Sequence, residues 1–286
     1  MKAEFINGGM KITGEDIRPE IVFDCGQCFR FNPDGCGYTG VAHKKVLHAE
    51  KTNSGLFLYP CTQDDFKNIW FEYFDLGLCY SDIEESFKKD GVLAKTIECS
   101  KGMRLLVQEP FETLISFIIS ANNNIGRIKG IIKRICALCG EEIEFEGRKY
   151  HAFPKPDVLA GLTEEQLKLC GAGYRAQYIR ETSQVVAQGD FDLFRLYDMD
   201  YNEAKKCLIT LKGVGPKVAD CILLFAYGKK NAFPVDVWMR RVLIGIYGFE
   251  PKNPAQAEAF AAEHFGEYAG IAQQYLFNYA RINRII

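Results

Sequence analysis

Leu211–Cys221 (LKGVGPKVADC) combines residues that could bind a phosphate with one that could attack a carbon atom. Gly213 and Gly215 can leave backbone N–H groups uncovered, and Pro216 suits the first position of a helix. Free amides at a helix N-terminus favour an anion such as phosphate. Lys217 lies in the first helical turn, where the positive end of the helix dipole disfavours an ammonium ion. A neutral amine is what nucleophilic attack requires.

The residues around this segment predict two helices joined by a short glycine hairpin, over residues 202–227. Asn202 is the predicted cap of the first helix, EAKKCLIT. The apolar positions of the second helix follow i, i+3, i+4, i+7 and form one face: Val218, Cys221, Ile222 and Phe225. Two packing helices with a glycine-rich turn and a solvated surface lysine are the alternative. The order helix, GVG, Pro, helix favours a helix-hairpin-helix element that binds DNA phosphate.

A carboxylate follows nineteen residues after Lys217, at Asp236. It comes after Pro234 and before the apolar-periodic run Val237–Tyr247, so it is predicted to cap a helix N-terminus. A capping carboxylate has a fixed rotamer and stays charged, and such a charge could stabilise positive charge on a sugar ring. Only the fold decides whether Asp236 reaches Lys217.

Three further segments are Cys25–Phe31 (CGQCFRF), Ser120–Arg127 (SANNNIGR) and Gly171–Ala176 (GAGYRA). Together with LKGVGPKVADC and PVDV, they resemble the helix-hairpin-helix, Gly/Pro-Asp superfamily of DNA glycosylases. Within that superfamily they resemble above all the 8-oxoguanine DNA glycosylases of the eukaryotic type. The resemblance runs in one consistent order from about residue 20 onward.

The resemblance implies a bifunctional glycosylase and lyase of base excision repair, which flips 8-oxoguanine out of duplex DNA and excises it. Lys217 would attack C1′, Asp236 would stabilise the developing positive charge, and a Schiff base would lead to β-elimination. No metal or organic cofactor is expected. The expected partner is double-stranded DNA that contains 8-oxoguanine, with no membrane association and with the protein as a monomer.

Four residues are expected, by resemblance, to bind the lesion. The carbonyl of Gly26 would accept the hydrogen on N7, which 8-oxoguanine carries and guanine lacks. Gln273 would read the Watson–Crick edge, while Phe277 and Cys221 would sandwich the ring. Ordinary core packing in a C-terminal helix is the alternative for Phe277.

Further residues are expected to hold the rest of the duplex. Asn122, Arg127 and Arg175 match family positions that bond the estranged cytosine, so a preference for cytosine opposite the lesion is expected. Tyr174 matches a residue that wedges into the duplex. Alternatively, Asn122–Asn124 is a polar helix stop. The hairpin contributes the remaining DNA contacts: Gly213, Gly215 and Val218.

The chain departs from the family pattern at three positions. Trp238 stands where the family has a histidine near a phosphate, and Ala280 replaces an acid shortly after Phe277. Cys28 replaces a serine beside the lesion-reading glycine. These departures put the phosphate contact in doubt and leave the other motif residues unchanged.

Composition narrows the class of protein. The 286 residues are 48% hydrophobic, and no apolar stretch reaches the ~18 residues of a membrane span. The net charge of −2 excludes a globally basic DNA coat, so binding requires a local basic face. We expect an intracellular location, cytoplasmic at the nucleoid in a bacterium and nuclear in a eukaryote.

The eleven cysteines show no disulfide framework, so reduced thiols are expected. Two CxxC pairs, Cys25/Cys28 and Cys136/Cys139, allow a zinc interpretation. The second pair, however, falls in an apolar helical pattern typical of a core, and no metal site is predicted. No cysteine follows Cys221, which separates this chain from relatives with a C-terminal iron–sulfur cluster.

The pattern changes near residue 105 and predicts an α+β protein. Residues 1–105 are predicted as an antiparallel sheet domain with flanking helices, and residues 106–286 as an all-helical glycosylase body. Five β-prone runs are predicted: Phe5–Ile12, Ile21–Phe23, Cys28–Asn32, Gly37–Glu50 and Gly55–Tyr59. The predicted helices include Gln63–Phe74, Ile83–Lys89 and Phe111–Ser120. A capping box at Thr163–Gln166 predicts one more helix, ended by Gly171.

Two other classes of function are compatible with parts of the sequence. One is a monofunctional glycosylase for another base, such as an alkylated purine, although such enzymes use water and lack the amine of Lys217. The other is a non-catalytic helix-hairpin-helix module that holds DNA for a partner. That module would have no use for the motifs at Gly26, Asn122 and Arg175.

Overall fold

The N-terminal part of the chain forms one antiparallel sheet of six strands, in a computed structural model that describes residues 1–283. In chain order the strands are β1 (Lys2–Ile6), β2 (Gly9–Thr13), β3 (Asn32–Asp34), β4 (Gly37–Ala42), β5 (Lys45–Thr52) and β6 (Gly55–Tyr59). Across the sheet their order is β1-β2-β6-β5-β4-β3. The predicted α+β class is confirmed.

Two of the predicted β-prone runs are hairpins rather than single strands. Phe5–Ile12 divides at Asn7-Gly8, and Gly37–Glu50 divides at His43-Lys44. All four turn residues have positive φ, between 49° and 74°. Two-residue turns with positive φ at both positions match the twist of the flanking strands, and Asn-Gly is the usual sequence for them. The run Gly55–Tyr59 is confirmed as β6.

The predicted strands Ile21–Phe23 and Cys28–Asn32 are wrong. The first lies in helix α1 (Pro19–Asp24), which has Pro19 at its first position. Val22 and Phe23 are buried there, so tertiary packing overrides the β preference of their side chains. Cys28–Phe31 is irregular backbone that follows the positive φ of Gly26 and enters β3.

Four short helices follow the sheet. Helix α2 (Gln63–Asp65) continues through a π-helical turn (Phe66–Trp70) into α3 (Phe71–Tyr73), which agrees with the predicted helix Gln63–Phe74. Helices α4 (Tyr80–Phe87) and α5 (Leu93–Ser100) come next. The prediction of Ile83–Lys89 thus found α4 but misplaced its ends by a few residues.

The rest of the chain is a helical body that also contains one β-hairpin. Its helices are α6 (Pro110–Ser120), α7 (Ile125–Cys139), α8 (Pro156–Ala160), α9 (Glu164–Leu169), α10 (Arg175–Ala187), α11 (Tyr201–Ile209), α12 (Pro216–Tyr227), α13 (Val237–Tyr247), α14 (Pro254–Phe265) and α15 (Ala269–Ile282). The hairpin consists of β7 (Glu142–Phe145) and β8 (Arg148–His151). Nothing in residues 1–283 forms a helix with the length and apolarity that a bilayer crossing requires.

Helix starts and stops follow the predicted signals with one correction. Pro110 opens α6, and Thr163 and Gln166 form the predicted capping box of α9. The N-cap of α11 is Asp200, whose side chain accepts from the backbone of Glu203, so the prediction of Asn202 as the cap was wrong. Both residue types cap well, and the sequence alone favours neither register.

The described residues form two hydrophobic cores. One fills the helical body and includes residues from α4 and α5; the other lies between the sheet and α1–α3. The segment Cys25–Phe31 divides between them, because Cys25 and Phe29 pack into the first core while Cys28 and Phe31 pack into the second. The division of the chain after residue 105 stays a prediction.

A buried polar network joins three helices of the body. The Lys205 ammonium on α11 lies 2.7 Å from a carboxylate oxygen of Asp220 on α12 and 2.7 Å from one of Glu258 on α14. The Tyr201 hydroxyl donates to Asp220 at 2.7 Å. Burial raises the pKa of Asp220 to about 6, and Lys205 and Tyr201 limit that rise.

We predict that Lys205→Met destabilises the protein more at pH 8 than at pH 5. In the folded protein the pKa of the Asp220 carboxyl is about 6, above its ordinary 3.8. The fold therefore favours the protonated carboxyl, and this stabilising contribution is lost as pH rises through about 6. Without the Lys205 ammonium the pKa of Asp220 rises further. At a pH above that pKa, the variant buries an Asp220 carboxylate that has no cation beside it. The expected loss is about 3 kcal/mol at pH 8 and less than half of that at pH 5, measured by urea unfolding.

The matched control is Lys206→Met, because Lys206 is the exposed neighbour on the same helix. It should change the free energy of unfolding by less than about 0.5 kcal/mol at either pH. An equal loss at pH 5 and pH 8 in Lys205→Met would contradict the role assigned to Asp220.

Candidate active site

A cleft of about 970 Å³ opens between the loop after α1, the α6–α7 connection, the start of α12, the start of α13 and α15. It brings together eight of the predicted site residues: Gly26, Asn122, Lys217, Val218, Cys221, Asp236, Gln273 and Phe277. The other five, which do not line the cleft, are Arg127, Tyr174, Arg175, Gly213 and Gly215. Residues distant in sequence therefore converge on one cavity.

Lys217 occupies the second position of α12, as predicted, and its side chain points into the cleft wall. Its ammonium nitrogen lies 5.6 Å from the ring centre of Phe117 on α6. That ring is fixed by a stacked contact with Phe225 at 5.5 Å and an edge contact with Phe29 at 5.6 Å. The amine is thus held against a rigid aromatic surface, one turn above Cys221.

The buried Cys221 lines the same cleft as Lys217 and Asp236. Burial raises the pKa of the Cys221 thiol to about 11. The positive charge of Lys217 opposes this rise in pKa, whereas the carboxylates of Asp220 and Asp236 add to it. Both charged groups therefore lie near the same sulfur atom and line the same cleft.

Asp236 is the N-cap of α13, which the sequence predicted. One carboxylate oxygen accepts from the backbone N–H of Met239 at 2.8 Å. The cap fixes the rotamer of the carboxylate, and the residue also lines the cleft beside Pro234 and Val235. The capping role leaves the second oxygen available for chemistry.

Gly26 lies in a loop that is fixed by its neighbour Gln27. The buried Gln27 amide donates to the carbonyls of Val22 and Arg104, each at 2.8 Å, and accepts from the Leu106 N–H at 2.9 Å. These bonds tie the end of α1 to residues 104–106.

Gly26 itself has a φ of +83°, a conformation that favours glycine. A Cβ atom there would lie 3.6 Å from Ile125 and 4.0 Å from Phe277. The backbone of Gly26 therefore lies close to Phe277 at the cleft, which Cys25 and Phe29 of the same loop also line.

Gln273 and Phe277 project from successive turns of α15. Phe277 is partly buried, and Gln273 is buried with its carbonyl oxygen accepting from the Gln274 amide at 2.7 Å. Sequence analysis did not single out Gln274 or Phe117. The available signal for Gln274 was a pair of adjacent amides in an apolar helix; Phe117 gave no signal, because α6 is apolar on nearly all sides.

The segment Asn122–Asn124 is a helix stop in which Asn122 and Asn124 are exposed. Asn123 donates to the Ile119 carbonyl at 3.1 Å, and Asn124 caps α7 through the Arg127 N–H at 2.9 Å. Asn122 has a φ of +50°, and within the described residues its side chain makes no hydrogen bond. The stop and an exposed asparagine therefore coexist.

The two predicted arginines differ in exposure. Arg127 is exposed and has no ion-pair partner in residues 1–283. Arg175 is buried, and its guanidinium donates to the carbonyls of Ala121 and Asn122. The same group lies 4.4 Å from the ring centre of the exposed Tyr174. Arg175 thus orders the loop that carries Asn122, and Tyr174 projects beside it.

The hairpin before α12 matches the predicted helix-hairpin-helix with one difference. Gly213 has a φ of +79°, and a Cβ there would lie 2.9 Å from Tyr178, so only glycine fits. Gly215 has a φ of −93° and open space at its Cβ position. Only Gly213 therefore uses the left-handed conformation that glycine permits, whereas Gly215 keeps the surface clear for a close approach.

The backbone at the start of α12 offers free donors. The first N–H of α12 that bonds within the helix is that of Ala219, to the Gly215 carbonyl at 2.9 Å. The N–H groups of Lys217 and Val218 precede it, and Pro216 has none. The Val218 side chain is buried, so the backbone N–H is the group that this residue can offer to a ligand.

The rim of the cleft carries Trp238, one of the three residues that depart from the family pattern. Trp238 is 42% exposed and lies in the first turn of α13. Its ring centre lies 5.2 Å from the Arg241 guanidinium carbon. Three basic residues also line the cleft: Arg240, Lys252 and Arg281. The rim is therefore aromatic and basic, although the chain as a whole is slightly acidic.

The cysteine pairs lie in apolar packing. The thiols of Cys25 and Cys28 donate to the α1 carbonyls of Val22 at 3.3 Å and Phe23 at 3.9 Å. Cys136 is buried within α7. No group of three or more His, Cys, Asp or Glu side chains in residues 1–283 is arranged to hold a metal ion.

Two family models together match most of the chain. Residues 10–114 match the N-terminal domain of 8-oxoguanine DNA glycosylase, and residues 115–267 match the HhH-GPD superfamily of base excision DNA repair proteins. The second match contains Lys217, Asp236 and the helix-hairpin-helix.

Known proteins similar to this chain have related names. A probable N-glycosylase/DNA lyase from Methanothermobacter thermautotrophicus is 42% identical over 70% of this chain and 71% of its own length. The N-glycosylase/DNA lyase OGG1 of Arabidopsis thaliana is 33% identical over 94% and 78% of the two chains. The 8-oxoguanine glycosylase/lyase of Clostridium acetobutylicum, solved with double-stranded DNA containing cytosine opposite 8-oxoguanine, is 38% identical, with a TM-score of 0.95 over 99% of both chains. The chain therefore belongs to the HhH-GPD superfamily and, within it, to the 8-oxoguanine DNA glycosylase family.

Proposed function

We propose that this protein flips 8-oxoguanine out of duplex DNA, excises it through Lys217 and then cleaves the strand by β-elimination. The observation that carries the proposal is the single cleft lined by Lys217, Asp236, Gly26 and Phe277. An amine, a carboxylate, a glycine carbonyl and an aromatic ring are the groups that this reaction requires. The family membership of the chain supports the same activity.

Recognition of the lesion is assigned to the two walls of the cleft. The ring lies between Phe277 and Cys221, and the Gly26 carbonyl accepts the hydrogen on N7. Guanine has no hydrogen on N7 and would leave this carbonyl unpaired. An unmade hydrogen bond in a dry pocket costs about 1–3 kcal/mol, enough to discriminate the lesion from the normal base.

The chemistry begins when the Lys217 amine attacks C1′ of the flipped nucleotide. The bond to the base breaks, and the Asp236 carboxylate stabilises the positive charge that develops on the sugar. The base leaves with a proton that the amine gives up. The C1′–O4′ bond then opens, with a second proton passing from nitrogen to O4′, and leaves an imine between Lys217 and the sugar. Loss of a C2′ proton expels the 3′ phosphate by β-elimination and cleaves the strand 3′ to the lesion. The contact of Lys217 with the Phe117 ring holds the amine above the cleft floor.

The rest of the duplex is assigned to the exposed residues around the cleft. The free amides at the start of α12 and the open surface at Gly215 suit a phosphate. Tyr174 inserts between the stacked bases of the duplex at the position that the flipped lesion vacates. Asn122 and Arg127 bond the estranged cytosine, while Arg175 holds the loop that positions Asn122.

Of the three predictions that test the proposed function, the first concerns the nucleophile. Lys217→Gln should bind DNA containing 8-oxoguanine but form no covalent complex on borohydride reduction, because an amide cannot form a Schiff base. Lys206→Gln, which changes an exposed lysine of α11, should trap like the unaltered protein. Trapping that survives in Lys217→Gln would place the nucleophile elsewhere.

The second prediction separates the charge of Asp236 from its capping role. Asparagine caps a helix as well as aspartate does, so Asp236→Asn should keep the melting temperature and lower the single-turnover rate of base release by about 10²-fold. Asp236→Ala should lose the same activity and, in addition, about 1 kcal/mol of stability. Full activity in Asp236→Asn would limit Asp236 to capping.

The third prediction concerns the base opposite the lesion. The unaltered protein should excise 8-oxoguanine faster opposite cytosine than opposite adenine. Arg127→Met should reduce that ratio about tenfold, since it removes donors to the acceptors on cytosine. Lys133→Met, an exposed change on the same helix, should leave the ratio unchanged. Equal excision opposite all four bases by the unaltered protein would contradict the assignment of Arg127.

A further inference from the structure

Gln273 and Gln274 are adjacent buried amides in an otherwise apolar stretch of α15. They are 5% and 4% exposed, and the following residues, Tyr275 and Leu276, are fully buried. The Gln274 amide nitrogen donates to the Gln273 carbonyl oxygen at 2.7 Å. Both residues line the cleft that holds Lys217.

Packing does not explain the presence of an amide at residue 274. The carbonyl oxygen of Gln274 is buried and has no hydrogen-bond partner in residues 1–283. An unpartnered buried acceptor lowers the free energy of unfolding, whereas methionine would fill a similar volume without that loss. The bond that Gln274 donates to Gln273 is therefore the feature that an amide adds at this position.

That bond determines which end of the Gln273 amide faces the cleft. A glutamine amide carries a donor on one side and an acceptor on the other, and a half-turn exchanges them. A freely turning amide can match either type of purine. Guanine presents the acceptor O6 and the donor N1–H, while adenine presents its amino group as donor and N1 as acceptor.

We propose that Gln274 is a positioning residue that determines specificity, because it holds the Gln273 amide in the orientation that matches a 6-oxopurine and rejects a 6-aminopurine. The inference rests on the proposed function, in which Gln273 reads the Watson–Crick edge. The Gly26 carbonyl cannot make this distinction, since 8-oxoguanine and 8-oxoadenine both carry a hydrogen on N7. The glutamine pair supplies the selection at the other edge of the base.

The experiment compares release of 8-oxoguanine and of 8-oxoadenine, each opposite cytosine in one duplex sequence, under single-turnover conditions. The unaltered protein should release 8-oxoguanine much faster. Gln274→Met should lower the ratio of the two rates about tenfold, the effect expected when one mismatched hydrogen bond is no longer enforced. Gln188→Met, an exposed change outside the cleft, should leave the ratio as it is.

A second background tests whether Gln274 acts through Gln273. In a Gln273→Met protein the amide to be positioned is gone, so adding Gln274→Met should not change the ratio further. Gln274→Leu also removes the donor and replaces Gln274→Met if the latter does not fold.

Two outcomes would overturn the inference. One is an equal fall of both rates in Gln274→Met, which a general loosening of α15 would produce. The other is a further change of the ratio in the Gln273→Met background. If the unaltered protein releases no 8-oxoguanine, the proposed function fails instead; release with a ratio insensitive to Gln274 rejects the role of Gln274 alone.

Discussion

The geometry of the cleft depends on a loop that belongs to two hydrophobic cores at once. Cys25 and Phe29 pack into the core of the helical body, and Cys28 and Phe31 pack under the sheet. The backbone turns at Gly26 between the two pairs, and the buried Gln27 amide bonds the end of α1 to Arg104 and Leu106. The position of the Gly26 carbonyl is therefore set by both halves of the protein, so a shift of the sheet against the body would move it relative to Phe277.

Helix α12 is buried along most of its length, yet it carries the reactive amine of Lys217 at its exposed start. Lys217 lies at the open end, while Asp220 and Cys221 lie one turn inside. A buried carboxylate there requires the Lys205 ammonium and the Tyr201 hydroxyl, which join α11 and α14 to α12. The polar network thus fixes the helix from behind, and the hairpin glycines leave its front clear.

The sequence predicted those features of the site that depend on local chemistry. Glycine, proline and a capping carboxylate have restricted backbone roles, so the hairpin, the start of α12 and the cap at Asp236 were predicted correctly. It failed where tertiary packing decides, as for the strand predicted at Ile21–Phe23 that is part of α1. The hairpin of β7 and β8 was missed because Glu146-Gly147 is a weak turn signal, and Phe117 was missed because no periodicity distinguishes one buried face of α6 from another.

Selection of a damaged purine involves two separate comparisons, and the proposed site makes them at two edges of the base. The Gly26 carbonyl compares oxidised with normal guanine at N7, and the glutamine pair compares guanine with adenine at the Watson–Crick edge. Because the two contacts share no atom of the base and reject different competitors, each must supply its own discrimination, and the two factors multiply only against unoxidised adenine, which fails both. A carbonyl of the main chain keeps its orientation, whereas a side-chain amide can turn over. The second contact therefore needs a partner such as Gln274, and the first needs only a fixed backbone.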